Sequence, residues 1–118
     1  MINKNQSNRR DYARVTVRVP VEIQADISTS PLRCATTDLS LSGCYIETIF
    51  PFPIGTSVDL KLSLDTIVLI AANVVTRDPQ VGNGIRFVRM LREDRETLKA
   101  FLEVAEQAQE AGLRMVEV

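Results

Sequence analysis

Histidine and tryptophan are absent from this 118-residue chain, and only 5% of its residues are aromatic. Without histidine, the chain lacks the commonest general base and the commonest zinc ligand of proteins. We therefore expect a protein that is not an enzyme and that holds no metal or other cofactor. Without tryptophan, a stacking platform for single-stranded nucleic acid has little to be built from.

Cysteine is scarce, long apolar runs are missing, and neither charge sign is in large excess. Cys34 and Cys44 are too few for a disulfide scaffold, and we expect both to be small buried hydrophobic residues. The longest apolar run, Ile67 to Ala72, is too short to span a bilayer, and residues 1–8 lack a secretory apolar region. The net charge of −1 argues against a general nucleic-acid coat. These features predict a cytoplasmic protein without membrane insertion and without DNA or RNA as a partner.

The chain length and its 45% apolar fraction fit a single domain with one hydrophobic core. Residues 1–14 are predicted to be a flexible polar arm, residues 15–112 the folded domain, and residues 113–118 a short tail. The domain begins with alternating apolar and polar residues from Val15 to Ile27, which is typical of a half-buried strand. Within it, Pro20 predicts a sheet edge or a bulge, because proline donates no hydrogen bond to a ladder.

Five further strands and one helix are predicted after this first strand. Ser42 and Gly43 are expected to make a tight reversal, and Gly112 is expected to end the helix. Apolar residues at three- and four-residue spacing from Leu98 to Ala108 define one face of that helix. The strands are expected at Leu32–Leu41, Cys44–Ile49, 58–64, Ile67–Thr76 and from Ile85 to about Met90. Short strands separated by turns favour a mainly β antiparallel barrel or sandwich.

Two polar motifs carry most of the functional information. The first is Arg9-Arg10-x3-Arg14, and the second is Asp38-x-Ser40-x2-Gly43. Arginine forks bind phosphate oxygens and stack on flat rings, and a carboxylate accepts the paired N–H donors of guanine. Taken singly, each motif has an ordinary explanation. The arginines could be a solvated basic arm, and Asp38, Ser40 and Gly43 could cap and form a turn.

Taken together, in this order and strand context, the two motifs resemble those of the PilZ domain. The segment Gly84-Ile85-Arg86-Phe87 is similar to the Gly-x-x-Phe element of that family's last strand, and the terminal helix fits as well. The resemblance covers roughly residues 8–105. It implies a six-stranded antiparallel β-barrel with a C-terminal helix that binds the bacterial second messenger cyclic di-GMP.

The resemblance also assigns roles to individual residues. Arg10 and Arg14 would grip phosphate and contact guanine, while Asp38 and Ser40 would accept hydrogen bonds from a guanine edge. Gly43 would let the ligand approach the backbone, or would serve the turn through a positive φ. Arg9, just before the motif, implies two stacked ligand molecules instead of one.

The predicted function is therefore a cyclic di-GMP receptor whose arm becomes ordered over the ligand and whose altered surface is read by an unidentified downstream protein. Two alternatives remain open at this point. One is a protein–protein adaptor that has the PilZ fold but uses no nucleotide. The other is a small barrel that binds single-stranded nucleic acid, which the few aromatic residues and the net acidity disfavour.

Overall fold

The computed structural model of the protein describes residues 13–26 and 29–112, which form six strands and one helix. Their bounds are β1 Pro20–Gln24, β2 Leu32–Leu39, β3 Gly43–Glu47, β4 Ser57–Ser63, β5 Ile67–Asp78, β6 Gly82–Met90 and α1 Arg92–Glu110. All pairings are antiparallel, and the strands close into a barrel in the order β1-β2-β3-β6-β5-β4, with β4 pairing back to β1. The predicted six-stranded antiparallel barrel with a C-terminal helix is confirmed.

The core fills the barrel interior with the inward-facing residues of each strand. In β4 the alternation is complete, since Val58, Leu60 and Leu62 are buried between exposed neighbours. Helix α1 adds Leu98 and Leu102 to the same core. The apolar spacing seen in the sequence therefore marks the face with which the helix covers the barrel.

Hydrogen bonds hold both ends of α1 to the barrel. The Asp94 carboxylate in its first turn accepts the backbone N–H of Leu69 at 3.2 Å. The Gln109 side chain near its C-terminus donates to the backbone carbonyl of Thr16 at 2.7 Å. After the helix, Gly112 has a φ of 69°, as expected for a glycine that ends a helix. The last described turn of the chain is thus tied to the first described segment.

The first strand is shorter than the alternation predicts, because residues 15–19 do not form a regular ladder. Val15 makes an isolated bridge with Leu39 of β2, and β1 begins only at Pro20. Between these points the Thr36 hydroxyl replaces ladder bonds, since it accepts the N–H of Val19 at 2.9 Å and donates to the carbonyl of Val17 at 2.6 Å. The segment still lies along β2, and Val15 and Val19 are buried.

Pro20 lies at the start of β1 and not at a free edge, because the barrel is closed. It pairs with Ala35 of β2, whereas pairing with β4 begins one residue later, at Val21. The backbone nitrogen of Pro20 has no hydrogen to donate, and it lies at a position where β1 is not yet paired with β4. The register irregularity of this region lies in β2, between Thr36 and Asp38.

Several other predicted strand boundaries need correction, and β4 lies one residue earlier than predicted, at Ser57–Ser63. Strand β2 ends at Leu39 because Ser40 to Gly43 form the reversal, so Gly43 is already the first residue of β3. Strand β3 ends at Glu47 instead of Ile49, since Thr48 bonds to Val81 in the β5–β6 hairpin. Strand β5 continues two residues past Thr76, and β6 begins three residues before Ile85.

A buried asparagine fixes the loop between β3 and β4. The Asn83 side chain accepts the N–H of Phe52 and donates to the carbonyls of Phe52 and Thr76, all within 2.8–3.0 Å. The loop nevertheless exposes Ile49 and Phe50 to solvent. The Asn83 side chain thus anchors the β3–β4 loop to the barrel at Phe52, while the apolar side chains of Ile49 and Phe50 stay on the surface.

Part of the predicted domain division lies outside the described residues. Arg9 and Arg10, most of the predicted arm, Ile27 and the predicted tail belong to this part of the chain. Within residues 13–26 and 29–112, no helix has the length and apolar character that crossing a membrane requires.

We predict that Thr36→Val destabilises the barrel by about 1–3 kcal/mol, because a buried N–H and carbonyl lose their partner. Urea unfolding measures the change. Thr37→Val, next to it in β2, is the matched control, since the Thr37 hydroxyl makes no hydrogen bond within the described residues. Equal unfolding free energies for the two variants would contradict the role given to Thr36.

Candidate functional site

Arg14 and Asp38 meet on the outer surface of the barrel. One terminal guanidinium nitrogen of Arg14 donates to Oδ1 of Asp38 at 3.0 Å, although the residues are 24 positions apart. The two side chains are 63% and 29% exposed, so both remain accessible to a ligand. Oδ2 of Asp38 makes no hydrogen bond with a described residue. The two predicted motifs thus converge at this ion pair.

The segment before β1 brings these two residues together. The Val15–Leu39 bridge includes two backbone hydrogen bonds of 2.9 Å and places Arg14 alongside the residue before Leu39. Val15 and Leu39 are buried, while Arg14 and Asp38 lie towards solvent. The position of the Arg14–Asp38 ion pair therefore follows from the buried bridge between Val15 and Leu39, which are the next residues in the two segments.

Ser40 lies immediately after Asp38 and Leu39, with 1% of its surface exposed. Its hydroxyl accepts the N–H groups of Ser42 and Gly43 at 3.1 and 3.2 Å, and it lies 3.1 Å from the Ser42 hydroxyl. The hydroxyl thus stabilises the reversal from within, as an ST turn does. Its role as an acceptor for a guanine edge stays a prediction.

Gly43 is required by a close approach of two strands and not by a positive φ. Among the described glycines, only Gly55 and Gly112 have positive φ. A Cβ on Gly43 would collide with the backbone carbonyl oxygen of Ile85 in β6. The suggestion that Gly43 serves the turn through a positive φ was therefore wrong. Its predicted role in letting a ligand approach is untested.

The sequence analysis missed Tyr45, which pairs directly with Asp38 across β2 and β3. Its phenol donates to Oδ2 of Asp78 at 2.6 Å, and its ring lies against Gly82. Partial burial and this hydrogen bond raise the pKa of Tyr45 to about 12. A single tyrosine in a strand carries no sequence signal for this position, which depends on strand register.

Cys44 fits its predicted role as a small buried hydrophobic residue, whereas Cys34 is only partly buried. Cys44 is buried in the core, and Cys34 packs partly against it. Burial raises the pKa of the Cys34 thiol to about 11 and that of Cys44 to about 12. Both thiols are therefore protonated at neutral pH and are poor nucleophiles. Within the described ranges, no group of three or more metal-ligating side chains occurs.

We predict that Gly43→Ala lowers the unfolding free energy by about 1–3 kcal/mol, because β3 and β6 must separate to admit a methyl group. Urea unfolding measures this loss. Ser42→Ala, at the adjacent exposed position, should change stability by less than about 0.5 kcal/mol. An unchanged unfolding curve for Gly43→Ala would contradict the close approach.

We also predict that Tyr45 weakens the fold as the pH rises from 10 towards 12. The unfolded chain loses its phenolic proton near the ordinary pKa of 10, whereas the folded chain keeps it up to about 12. Stability from this group is complete below pH 10 and is lost through that window. Urea unfolding of the wild type and Tyr45→Phe across this range isolates the effect. Parallel pH profiles for the two proteins would contradict it.

The PilZ domain family model matches residues 8–104. A search of curated proteins found no match. Three solved structures with similar folds are the inhibitor of motility MotI/DgrA of Bacillus subtilis, YcgR of Escherichia coli in complex with cyclic di-GMP, and the PilZ domain of CeSA from a cellulose-synthesizing bacterium.

These likenesses are structural, with low sequence identity. MotI/DgrA is 20% identical with a TM-score of 0.70, YcgR 18% with 0.66, and the CeSA domain 18% with 0.65. The matches cover 87%, 88% and 80% of this chain, respectively. The chain spans about half of the first two proteins, at 52% and 49%, and 98% of the CeSA domain. With the family model matching most of its length and the barrel closed in the expected way, this chain belongs to the PilZ domain family.

Proposed function

We propose that this chain is a receptor for cyclic di-GMP, acting as a binding module and not as an enzyme. The observation that carries the proposal is the exposed Arg14–Asp38 pair, formed between the two motifs on the outside of a PilZ barrel. Support also comes from YcgR, a structural neighbour that was solved with cyclic di-GMP. YcgR is only 18% identical to this chain, so the proposal depends mainly on the chemistry of Arg14 and Asp38.

Both members of the pair offer complementary chemistry to this ligand. The Arg14 guanidinium can donate a fork of hydrogen bonds to a phosphodiester. The Asp38 carboxylate can accept from the guanine edge through Oδ2 while Oδ1 faces Arg14. An exposed ion pair contributes only about 0–1 kcal/mol to stability, so rearranging it for a ligand costs little.

The remaining motif residues complete the proposed site. Arg9 and Arg10 lie a few positions before Arg14, and four residues of extended chain span up to about 14 Å. This reach lets them contact phosphates of a ligand bound beside Asp38. In our proposal, binding orders the segment that precedes Arg14 over one ligand or a stacked pair. A downstream protein then reads the changed surface.

Replacing either member of the pair tests the proposal. We expect Arg14→Ala and Asp38→Ala each to weaken cyclic di-GMP binding at least about tenfold, because a charge-assisted hydrogen bond contributes about 1.5–3 kcal/mol. Calorimetric titration gives the affinity and the number of ligands per chain. GTP and cyclic di-AMP, titrated in parallel, test the preference for the cyclic guanine dinucleotide.

Arg33→Ala and Glu22→Ala provide matched controls, since these residues form an exposed ion contact of 4.0 Å elsewhere on the barrel wall. They should leave the affinity unchanged. Full affinity in Arg14→Ala would rule out the proposed site. Affinity should also fall as salt is added, because the phosphate contacts are screened.

A second candidate function is a protein–protein adaptor that uses no nucleotide. The exposed apolar loop supports it, since Ile49, Phe50 and Ile54 are 66%, 80% and 66% exposed. Thermal melting with cyclic di-GMP separates the two functions. A receptor gains a higher melting temperature with ligand, whereas an adaptor without a nucleotide site does not.

A further inference from the structure

A second concentration of positive charge lies on the β6 side of the Ser40–Gly43 reversal. Here Ser42, the end of β6 and the first turns of α1 enclose a groove of about 470 Å³. Three arginines line it, namely Arg86, Arg89 and Arg95. Neither Arg14 nor Asp38 lines this groove, so it is separate from the ion pair described above.

Five described arginines form no ion pair with a described carboxylate, namely Arg77, Arg92 and the three that line the groove. Arg14, Arg18 and Arg33 each face a carboxylate within 4.0 Å. By contrast, no described carboxylate lines the groove, and its arginines form no ion pair with another described residue. Like charges held near one another repel, and a bound anion would remove this cost.

The walls of the groove are held by backbone contacts. The N–H of Phe87 donates to the carbonyl of Ser42 at 2.8 Å, which joins the reversal to β6. The Cα of Arg86 lies opposite that of Gly43 in the β3–β6 register. In α1, the Arg95 N–H donates to the Leu91 carbonyl at 2.9 Å, so Arg95 projects from an ordered first turn. The arginines therefore project from a strand and a helix and not from a mobile loop.

We propose that this arginine groove is a second anion site that binds phosphate groups. Guanidinium forks match phosphate oxygens with two parallel hydrogen bonds, and the exposed Ser42 hydroxyl adds a further donor. The groove volume lies within the usual range for small-ligand sites. The phosphate comes either from a second cyclic di-GMP molecule or from an inorganic phosphate anion.

Titration of the full chain with pyrophosphate tests the groove without depending on cyclic di-GMP. We expect Arg89→Ala/Arg95→Ala to weaken pyrophosphate binding at least about tenfold. Arg77→Ala/Lys99→Ala is the matched control, since it removes two exposed charges outside the groove. The control should retain the wild-type affinity for pyrophosphate.

Three results would overturn the proposal. They are a wild-type protein that does not bind pyrophosphate, equal losses in the two double variants, and a loss in Arg14→Ala that exceeds the loss in the groove variant. Should Arg89→Ala/Arg95→Ala fail to fold, Arg89→Lys/Arg95→Lys keeps the charge but removes the forks. It should still bind pyrophosphate more weakly than the wild type, and wild-type affinity would overturn the proposal.

A parallel titration with cyclic di-GMP identifies the source of the phosphate. If the second messenger fills the groove, the groove variant binds one cyclic di-GMP molecule fewer per chain than the wild type does. If inorganic phosphate is the occupant, both proteins bind the same number of cyclic di-GMP molecules while pyrophosphate binding is still lost. Failure of cyclic di-GMP binding altogether would refute the proposed receptor function but not the groove.

Discussion

The Thr36 hydroxyl holds the segment that carries Arg14 against the second strand. It replaces two ladder bonds at a place where regular pairing of residues 15–19 is interrupted, and it is completely buried. Because Val15 then bonds to Leu39, the neighbouring Arg14 reaches Asp38. A polar group inside the barrel thus determines the distance between two charges outside it.

The Asp38-to-Gly43 motif divides into residues that stabilise the reversal between β2 and β3 and a residue whose side chain makes little contact with the fold. Ser40 directs its hydroxyl into the turn, and Gly43 allows β3 and β6 to approach. The side chain of Asp38, by contrast, is 29% exposed and makes no hydrogen bond with a described residue except that to Arg14. Within one short motif, therefore, Ser40 and Gly43 stabilise the scaffold, while one carboxylate oxygen of Asp38 is left without a described hydrogen-bond partner.

The sequence predicted the fold well where side-chain alternation and backbone pairing agree. Strand β4 is the clearest case, since both follow the same period of two. At residues 15–19 the alternation correctly marked Val15 and Val19 as buried but overestimated the strand. Alternation indicates which side chains face the core. It does not indicate that the buried Thr36 hydroxyl takes the place of strand hydrogen bonds to Val17 and Val19.

The geometry around the candidate site and the arginine groove could be predicted only in part, for a similar reason. The resemblance associated Arg14 with Asp38, and the structure brings them together. The closeness of Tyr45 to Asp38 depends on strand register, and the clustering of Arg86 and Arg95 in one groove depends on where the helix lies on the barrel. Neither the Tyr45–Asp38 distance nor the Arg86–Arg95 distance can be read from the spacing of these residues in the sequence. The steric reason for Gly43 also arises between strands that are far apart in sequence.

The hydrogen bond from Gln109 to Thr16 has a consequence for synthesis of the protein. It joins residues 93 positions apart, one in the last helix and one beside Arg14. Arg14 and Asp38 leave the ribosome early, before β6 and α1, which complete the barrel on whose surface the two residues lie. Arg14 and Asp38 therefore reach their final setting only after nearly the whole domain has been translated, so an incomplete nascent chain does not present the finished site.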